Sequence, residues 1–450
     1  MRDGEEGTRL QLRRRAGLAF EAAHLSKHAI TAPDGALRRF GKMLSGMSMR
    51  LLLQSFYFVL LARFLGPAQY GMFVAAASTC LILSTLGALG AEVMLPKSVS
   101  RGDVDLRTGI RCALGNLLVG APALMIASFL LTVTLASPGL PVAATLAICL
   151  SDAILFRING VMAVAHLSVD HLWRHVTAQM GVNIARLVAV IGATMLLPPG
   201  SVLSWSLAYL AATAIAALAA VVPLWRELGP LPPIIRGNWL REGVFFALSS
   251  SAQIAYYEMD KPLVARLISA EAGGLYAAAT RITDAASTPI WSIVGIMITR
   301  FFKHGAHGVR SSLALAKRVL LPVIGLGLVI PLALWVVTPY VPIILGQRFR
   351  AVQDILPWLS VMPLLTGCFF ITADVLTSTG KQALRSVMQF AGVLLKLPIT
   401  FVLAQHYGLI GCVWAILGSS LLLLGITVTM VLVQASRETA ASTPASATAR

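Results

Sequence analysis

Long apolar stretches constrain this chain more than any other feature of its sequence. Twelve such stretches of about 20 residues follow one another, each bounded by Gly, Pro or charge. They lie near 44–65, 71–95, 112–136, 141–163, 177–197, 201–224, 243–265, 274–299, 319–340, 354–377, 384–405 and 409–433. A helix of this length crosses a bilayer and satisfies its own backbone hydrogen bonds. The sequence therefore predicts an all-α integral membrane protein with about twelve transmembrane helices.

Composition excludes most other classes of protein. Hydrophobic residues make up 57% of the chain and charged residues only 12%, about half the charged fraction of a soluble domain. A soluble enzyme, a coiled coil or a disordered protein is therefore a poor interpretation. The net charge of +17 does not indicate a nucleic-acid partner, because basic residues collect on the cytoplasmic side of membrane proteins whatever their function.

The distribution of Lys and Arg predicts the topology. With the N-terminus inside, the outer loops contain only three basic residues, Arg266, Arg348 and Arg350; the others lie in cytoplasmic segments or within spans. This asymmetry predicts that both termini are cytoplasmic.

The same scheme predicts five regions. They are a basic cytoplasmic tail (1–42) without a visible signal peptide, a six-helix lobe (43–225), a cytoplasmic linker (226–242), a second six-helix lobe (243–433) and a disordered cytoplasmic tail (434–450).

The loops and motifs give no sign of catalysis. The outer loops are too short for an extracytoplasmic catalytic domain, and the sequence contains no GxxxxGK[ST] nucleotide-binding motif and no CxxC pair. Three histidines, His166, His171 and His175, follow span 4 at a spacing too loose for a metal site. We therefore expect no enzymatic activity, no cofactor and no metal.

The second half of the sequence repeats the first. Residues 62–77 align without gaps on 265–280, an offset of 203, and 179–187 align on 389–397 at an offset of 210. Apolar sequence aligns with itself easily, so chance is an alternative explanation. The matches nevertheless keep chain order and join spans of equal rank, which favours two parallel six-helix repeats with the transport pathway between them.

Polar residues inside the spans predict a hydrated cavity, because charges at membrane depth usually face a bundle interior. Arg50 and Gln54 share one helical face of span 1, and Gln253, Tyr257 and Asp260 share one face of span 7. The candidate substrate-binding residues are Arg50, Gln54, Arg157, Arg186, Gln253, Tyr257, Lys261, Arg281 and Lys396. Their positive charge would suit an anionic ligand such as a diphosphate. The alternative is that they are snorkelling ends or buried structural pairs.

Five carboxylates within or beside spans are candidates for coupling transport to protons or sodium. They are Asp260, Glu258, Asp284, Asp152 and Asp374. A carboxylate inside a bilayer can exchange a proton or hold a cation. The alternative for each is a structural partner for a nearby basic residue. Asp260 is the first candidate because it lies on the polar face of span 7.

One segment carries a family resemblance. LLARFLGPAQYGMFVAAAS, residues 60–78, resembles the first hairpin of the polysaccharide flippases of the multidrug/oligosaccharidyl-lipid/polysaccharide exporter (MOP) superfamily, which typically reads R-x-L-G-x-x-x-Y-G-x-F. The matching residues are Arg63, Leu65, Gly66, Tyr70, Gly71 and Phe73. Residues 260–282 and the segment ILGQRF, residues 344–349, are similar to other parts of the family.

The resemblance implies a MATE-like fold and a function. It implies a flippase in a bacterial inner membrane that moves polyprenyl-diphosphate-linked oligosaccharide to the outer leaflet by alternating access, for O-antigen, exopolysaccharide or capsule. Its implied partners are membrane lipids, a coupling proton or sodium ion and other polysaccharide-assembly membrane proteins. The family has no fixed motif for charged cavity residues, so the candidate residues depend on spacing alone.

Three alternatives stay open from sequence. A cation-coupled small-molecule or multidrug antiporter of the same fold would favour acidic and aromatic binding groups. A major facilitator carrier would show G-x-x-x-D-R-x-G between spans 2 and 3, where this chain reads LPKSVSRGDVDLRTGIR. A membrane glycosyltransferase is disfavoured by the short outer loops.

Overall fold

The computed structural model describes the backbone of residues 33–442 and the side chains of Met49 and of 51–438. By contacts the chain divides into two units, Met1–Leu51 and Leu52–Arg450. The first contributes the described start of one long helix. The site and the contacts reported below all belong to the second.

All regular elements in the described range are helical. The first half contains α1 (Pro33–Gly87), α2 (Ala91–Ser100), α3 (Leu106–Leu131), α4 (Val142–Leu150), α5 (Phe156–Ser168), α6 (Leu172–Leu196) and α7 (Val202–Leu228). The second half contains α8 (Gly237–Glu258), α9 (Asp260–Leu267), α10 (Ala270–Ala286), α11 (Thr288–Gly305), α12 (Val309–Val337), α13 (Val341–Leu345), α14 (Val352–Leu359), α15 (Met362–Ser378) and α16 (Gln382–Ser442). Short π-helical turns, Thr132–Ala136 and Ser151–Leu155, extend α3 and join α4 to α5.

Glycine breaks divide the two longest helices at the predicted turns. Gly66 in α1 has φ 71° and ψ 168°, and Gly408 in α16 has φ 59° and ψ −138°. Glycine reaches these positive φ values without steric cost. Pro67 follows Gly66 directly, and its fixed φ suits the first turn of a new helix. Each long helix therefore holds two of the predicted spans.

Eight described segments are long and apolar enough to cross a membrane, or nine if α10 and α11, bent by 53° relative to each other, form one span. Two of the eight, Leu51–Ser100 and Gln382–Glu438, contain the glycine breaks. Span 7, predicted at 243–265, is not among these segments. It forms α8 and α9, and it carries Glu258, Asp260 and Lys261. The all-helical prediction is confirmed.

The two halves cross each other at a pair of repeat-related glycines. A Cβ atom placed on Gly71 would lie 1.8 Å from the carbonyl oxygen of Ala270, and one on Gly274 would lie 1.9 Å from that of Pro67. The offset of 203 that relates Gly71 to Gly274 also relates Pro67 to Ala270. The contact is therefore reciprocal, as expected for two repeats that meet around a shared axis.

The family-like segments of the two halves also contact each other. Arg63 donates from Nε to the carbonyl of Ile344 (2.7 Å) and from a terminal nitrogen to that of Ile343 (2.5 Å). These carbonyls lie at the C-terminal end of α13, where a helix favours a cation. Tyr70 packs edge-on against Phe349, with ring centroids 6.4 Å apart. The halves are thus joined at the end of the molecule that the topology predicts to be outer.

Candidate functional site

A cavity of about 300 Å³ lies within the second half of the chain. Its lining includes seven sequence-predicted residues: Gln253, Tyr257, Glu258, Asp260, Lys261, Asp284 and Lys396. They come from the consecutive helices α8, α9 and α10 and from α16, which lies about a hundred residues further along the chain. The fold thus brings four of the nine predicted binding residues and three of the five predicted coupling carboxylates to one space.

The break between α8 and α9 positions three of these charges. Pro262 has no N–H, so it cannot donate to the carbonyl of Glu258 four residues earlier, and the helical ladder is interrupted there. Glu258, Asp260 and Lys261 surround this interruption at Met259. A polar, broken helix is tolerated at membrane depth where it lines a cavity.

Both cavity lysines are paired with carboxylates. Lys396 Nζ lies 2.5 Å from Asp260 Oδ1 and 2.7 Å from Oδ2, and it donates to the carbonyl of Tyr256. The hydroxyl of Tyr276 also donates to Asp260 Oδ2, at 3.2 Å. Lys396 and Asp260 are each only 5% exposed, so each charge depends on the other to offset its desolvation.

The second pair is contacted by the first half of the chain. Lys261 Nζ lies 2.8 Å from Glu258 Oε2, and the hydroxyl of Ser78 on α1 donates to the same oxygen at 2.6 Å. Lys261 is 3% exposed. The Glu258 carboxylate is therefore held by both halves, so a movement of one half against the other changes its surroundings.

Asp284 and Arg281 differ from these pairs. Both are exposed, and neither forms an ion pair within 4 Å of its charged atoms among the described side chains. Arg281 lies within electrostatic reach of Glu258 and Asp284 in its own half and of Tyr57 and Tyr70 in the first half. Arg281 therefore has electrostatic neighbours in both halves.

The charge of the cavity corrects one expectation. The sequence predicted an excess of basic residues, but the lining contains two lysines and three carboxylates, Glu258, Asp260 and Asp284. The paired lysines carry no surplus positive charge as they stand. A basic residue inside a span is visible in the sequence. The carboxylate that pairs with it is not, because that pairing depends on how the helices pack.

Aromatic residues form a large part of the remaining wall. The cavity is lined by Tyr256, Tyr257, Tyr276, Trp291 and Phe370. The rings of Tyr257 and Phe370 stack with centroids 6.0 Å apart, and Trp291 meets Phe370 edge-on at 4.6 Å. Apart from Tyr257, sequence reasoning missed these residues. The repeat alignment offered a signal for Tyr276, because this residue aligns with Phe73 of the first half at the offset of 203.

Arg157 and Arg186 lie away from the cavity. Arg157 donates to the hydroxyls of Ser84 and Thr85 and pairs with Glu92 at 3.3 Å. It is 5% exposed and does not line the cavity. The side chain of Arg50 lies outside the described residues.

Two further ion pairs occupy other parts of the bundle. Arg186 lies 3.0 Å from Asp152, which also accepts from the hydroxyl of Tyr209 at 2.7 Å. Asp374 pairs with Arg385 at 2.9 Å. Arg186, Asp152 and Asp374 are therefore paired and lie outside the cavity lining, and Arg385 was a partner that the sequence did not reveal.

The fold defines the class of protein. The chain is similar to a MATE family multidrug transporter of the MOP superfamily in its inward-facing conformation, with a TM-score of 0.68 and 13% identity over 86% of this chain and 96% of that one. It is similar to the lipid II flippase MurJ, with a TM-score of 0.63 and 12% identity over 86% of each chain. A MOP superfamily transporter from Pyrococcus furiosus gives a TM-score of 0.60 and 15% identity over 88% of this chain and 95% of that one. The protein is thus a multi-pass membrane protein with the MOP fold.

The family follows from the sequence itself. The family model described as polysaccharide biosynthesis protein matches residues 40–303, more than half of the chain. The protein belongs to this family, and the resemblance read from its first hairpin is confirmed. No curated protein matches the sequence significantly.

Proposed function

We propose that the protein is a flippase that moves polyprenyl-diphosphate-linked oligosaccharide from the cytoplasmic to the outer leaflet of a bacterial inner membrane. Membership of the polysaccharide biosynthesis family is the observation that carries the proposal. The fold shared with the lipid II flippase MurJ is consistent with it. Two buried lysines at one cavity supply cations that can bind a diphosphate.

The ion pairs suggest how binding is coupled to a cation. Asp260 and Glu258 neutralise Lys396 and Lys261. A proton or sodium ion at either carboxylate weakens its hold on the lysine, and the freed ammonium group binds the diphosphate. The same carboxylate re-forms its pair after release. Substrate and coupling cation thus act through the same two salt bridges.

The transport cycle follows from the two-repeat plan. The lobes 43–225 and 243–433, joined by the linker 226–242, rock about the glycine crossing, while the polyprenyl tail stays in lipid. Ser78 lies on one lobe and Glu258 on the other, so rocking changes the surroundings of a cavity carboxylate while the cavity opens to each side in turn. Both termini lie in the cytoplasm in this scheme, and the oligosaccharide passes to outer polysaccharide-assembly proteins.

A second candidate function is a cation-coupled multidrug antiporter of the same fold. Asp284 is the observation that favours it, because this carboxylate is exposed, lines the cavity and has no ion pair among the described residues. Trp291, Phe370 and Tyr257 surround the same space, and aromatic faces attract organic cations.

Ligand binding to the purified protein separates the two functions. Farnesyl diphosphate serves as a short lipid diphosphate and tetraphenylphosphonium as an organic cation. The flippase predicts saturable binding of farnesyl diphosphate that Lys261→Gln weakens. Binding of tetraphenylphosphonium alone, lost in Asp284→Asn, would move the assignment to the antiporter.

A substitution at Tyr257 tests whether the cavity binds the ligand without destabilising the protein. Its hydroxyl is buried and has no hydrogen-bond partner among the described residues, and its side chain lines the cavity. Tyr257→Phe is expected to leave the free energy of unfolding unchanged or to raise it, because it removes a buried hydroxyl without a partner among the described residues, and to weaken binding of farnesyl diphosphate. The measurements are thermal unfolding in detergent and a binding isotherm.

Tyr276→Phe is the matched control for Tyr257→Phe. It removes the hydroxyl that donates to Asp260 and is expected to cost about 1–3 kcal/mol of stability, because a buried charged acceptor loses a donor. Equal destabilisation by the two variants, with unchanged ligand affinity in Tyr257→Phe, would contradict a ligand role for Tyr257.

A further inference from the structure

We propose that a row of side-chain amides in the first half of the chain binds the sugar hydroxyls of the lipid-linked substrate. This amide ladder consists of Gln54 on α1 and of Asn183 and Gln179 on α6, and it ends at His175. The proposal rests on the proposed flippase function and adds a second, uncharged binding surface to it.

Hydrogen bonds connect the members of the ladder in order. Gln54 Nε2 donates to Asn183 Oδ1 at 3.2 Å, and Asn183 Nδ2 donates to the backbone carbonyl of Gln179 at 3.0 Å. Gln179 Nε2 lies 3.3 Å from His175 Nε2, and His175 Nδ1 lies 2.8 Å from the carbonyl of Ala163. The bond to Ala163 favours the tautomer with the proton on Nδ1, so Nε2 accepts from Gln179.

The ladder retains unused hydrogen-bonding capacity. The side-chain oxygens of Gln54 and Gln179 accept no hydrogen bond from any residue that the structure describes, and both side chains are exposed. Each amide also has a second N–H. Exposed amides are costly against lipid. Two exposed amides and the half-buried Asn183, connected by hydrogen bonds, therefore indicate a hydrated cleft rather than a lipid-facing surface.

The ladder leads toward the centre of the molecule. Tyr57 lies one turn beyond Gln54 and Arg186 one turn beyond Asn183, on the same helical faces. Tyr57 is within electrostatic reach of Arg186 and of Arg281 from the second half. From 175 to 186 a helix rises about 16 Å, about half of the hydrocarbon thickness of a bilayer.

The chemistry of the ladder suits carbohydrate. A hydroxyl group both donates and accepts a hydrogen bond, as does an amide, and neither is charged. Gln54, Asn183 and Gln179 bring no charge for a diphosphate, which the lysines of the second half supply.

The ladder occurs once in the described chain. The repeat offsets relate Gln54, Gln179 and Asn183 to Tyr257, Gln389 and Val393. Gln389 and Val393 are buried. The two halves are therefore expected to bind different parts of one ligand.

Two ligands that differ only in sugar test the proposal. The probes are farnesyl diphosphate and farnesyl diphosphate carrying a glucose trisaccharide, and the measurement is the affinity of each for the purified full-length protein. The variant Gln54→Leu/Gln179→Leu/Asn183→Leu removes the amides, and Asn183→Leu is the milder form if the triple variant does not fold. Thr177→Ala is the control, because Thr177 is exposed on α6 and, among the described residues, its hydroxyl bonds the carbonyl of Arg174 alone.

The expected result is a loss confined to the glycosylated probe. Wild type and Thr177→Ala bind the glycosylated probe about tenfold or more tightly than the bare one, as a few net hydrogen bonds allow. The ladder variant binds both probes with the affinity of the bare one. A sugar preference that persists in the variant, equal weakening of both probes, or no sugar preference in wild type would overturn the ladder and leave the diphosphate site standing. A wild-type protein that binds neither probe would overturn the proposed function and the ladder together.

Discussion

Lys396→Met is expected to abolish export of lipid-linked oligosaccharide and to destabilise the protein. The substitution removes the ammonium group that lies 2.5 Å from Asp260 Oδ1 and leaves a carboxylate buried without its cation. Breaking a buried ion pair from one side costs about 3–5 kcal/mol. Thermal unfolding in detergent and export in cells that lack the native protein measure the two effects.

The double variant Lys396→Met/Asp260→Asn separates stability from function. With both charges removed, the stability is expected to return close to that of wild type, because no unpaired charge stays buried. Export is expected to stay lost, since no cation remains at this position for the diphosphate. Lys303→Met, at an exposed position near the end of α11, is the control and should export normally. Recovery of export in the double variant would show that the pair is only structural.

Gly71→Ala and Gly274→Ala are expected to prevent assembly of the folded protein. Each new Cβ would lie less than 2 Å from a backbone carbonyl oxygen of the other half, that of Ala270 or Pro67. Backbone cannot turn aside as a side chain can, so the cost is expected to exceed the roughly 1–3 kcal/mol of ordinary overpacking. The measurement is the yield of monodisperse protein and its unfolding temperature.

Gly181→Ala and Gly192→Ala are the matched controls for the crossing. Both glycines are within α6, and a Cβ on either would meet no atom within 4 Å. These variants should be as stable as wild type or more so, because alanine favours a helix by up to about 1 kcal/mol over glycine. Wild-type yield and unfolding temperature in Gly71→Ala would contradict the close contact of the halves.

The sequence predicted the fold well because its signals are local. The lengths of the apolar stretches predicted the spans. The breaks at Gly66 and Gly408 fall where the predicted spans end. The repeat alignment paired Gly71 with Gly274, and these two glycines meet in the structure. Apolarity alone gave a weaker signal for span 7, because a helix that lines a cavity carries polar residues.

The site was predicted less completely because its charges are defined by distant partners. The sequence predicted Arg157 as a cavity residue. In the structure Arg157 pairs with Glu92, which lies on another helix. Lys396 and Arg186 occupy equivalent positions of the two repeats and have different partners: Asp260 on α9 for Lys396, and Asp152 between α4 and α5 for Arg186. The residue equivalent to Asp260 in the first half is Tyr57, so Arg186 pairs elsewhere. Such differences depend on how the helices pack. The spacing of residues along one helix does not predict that packing.

The most direct test of the flippase is leaflet-resolved accumulation of lipid-linked oligosaccharide in cells depleted of the protein. We predict that labelled oligosaccharide accumulates on its polyprenyl carrier in the inner leaflet, and that wild type, but not Lys396→Met/Asp260→Asn, reverses the accumulation. Normal flipping and normal surface polysaccharide in depleted cells, together with altered sensitivity to cationic drugs, would contradict the flippase and favour the antiporter.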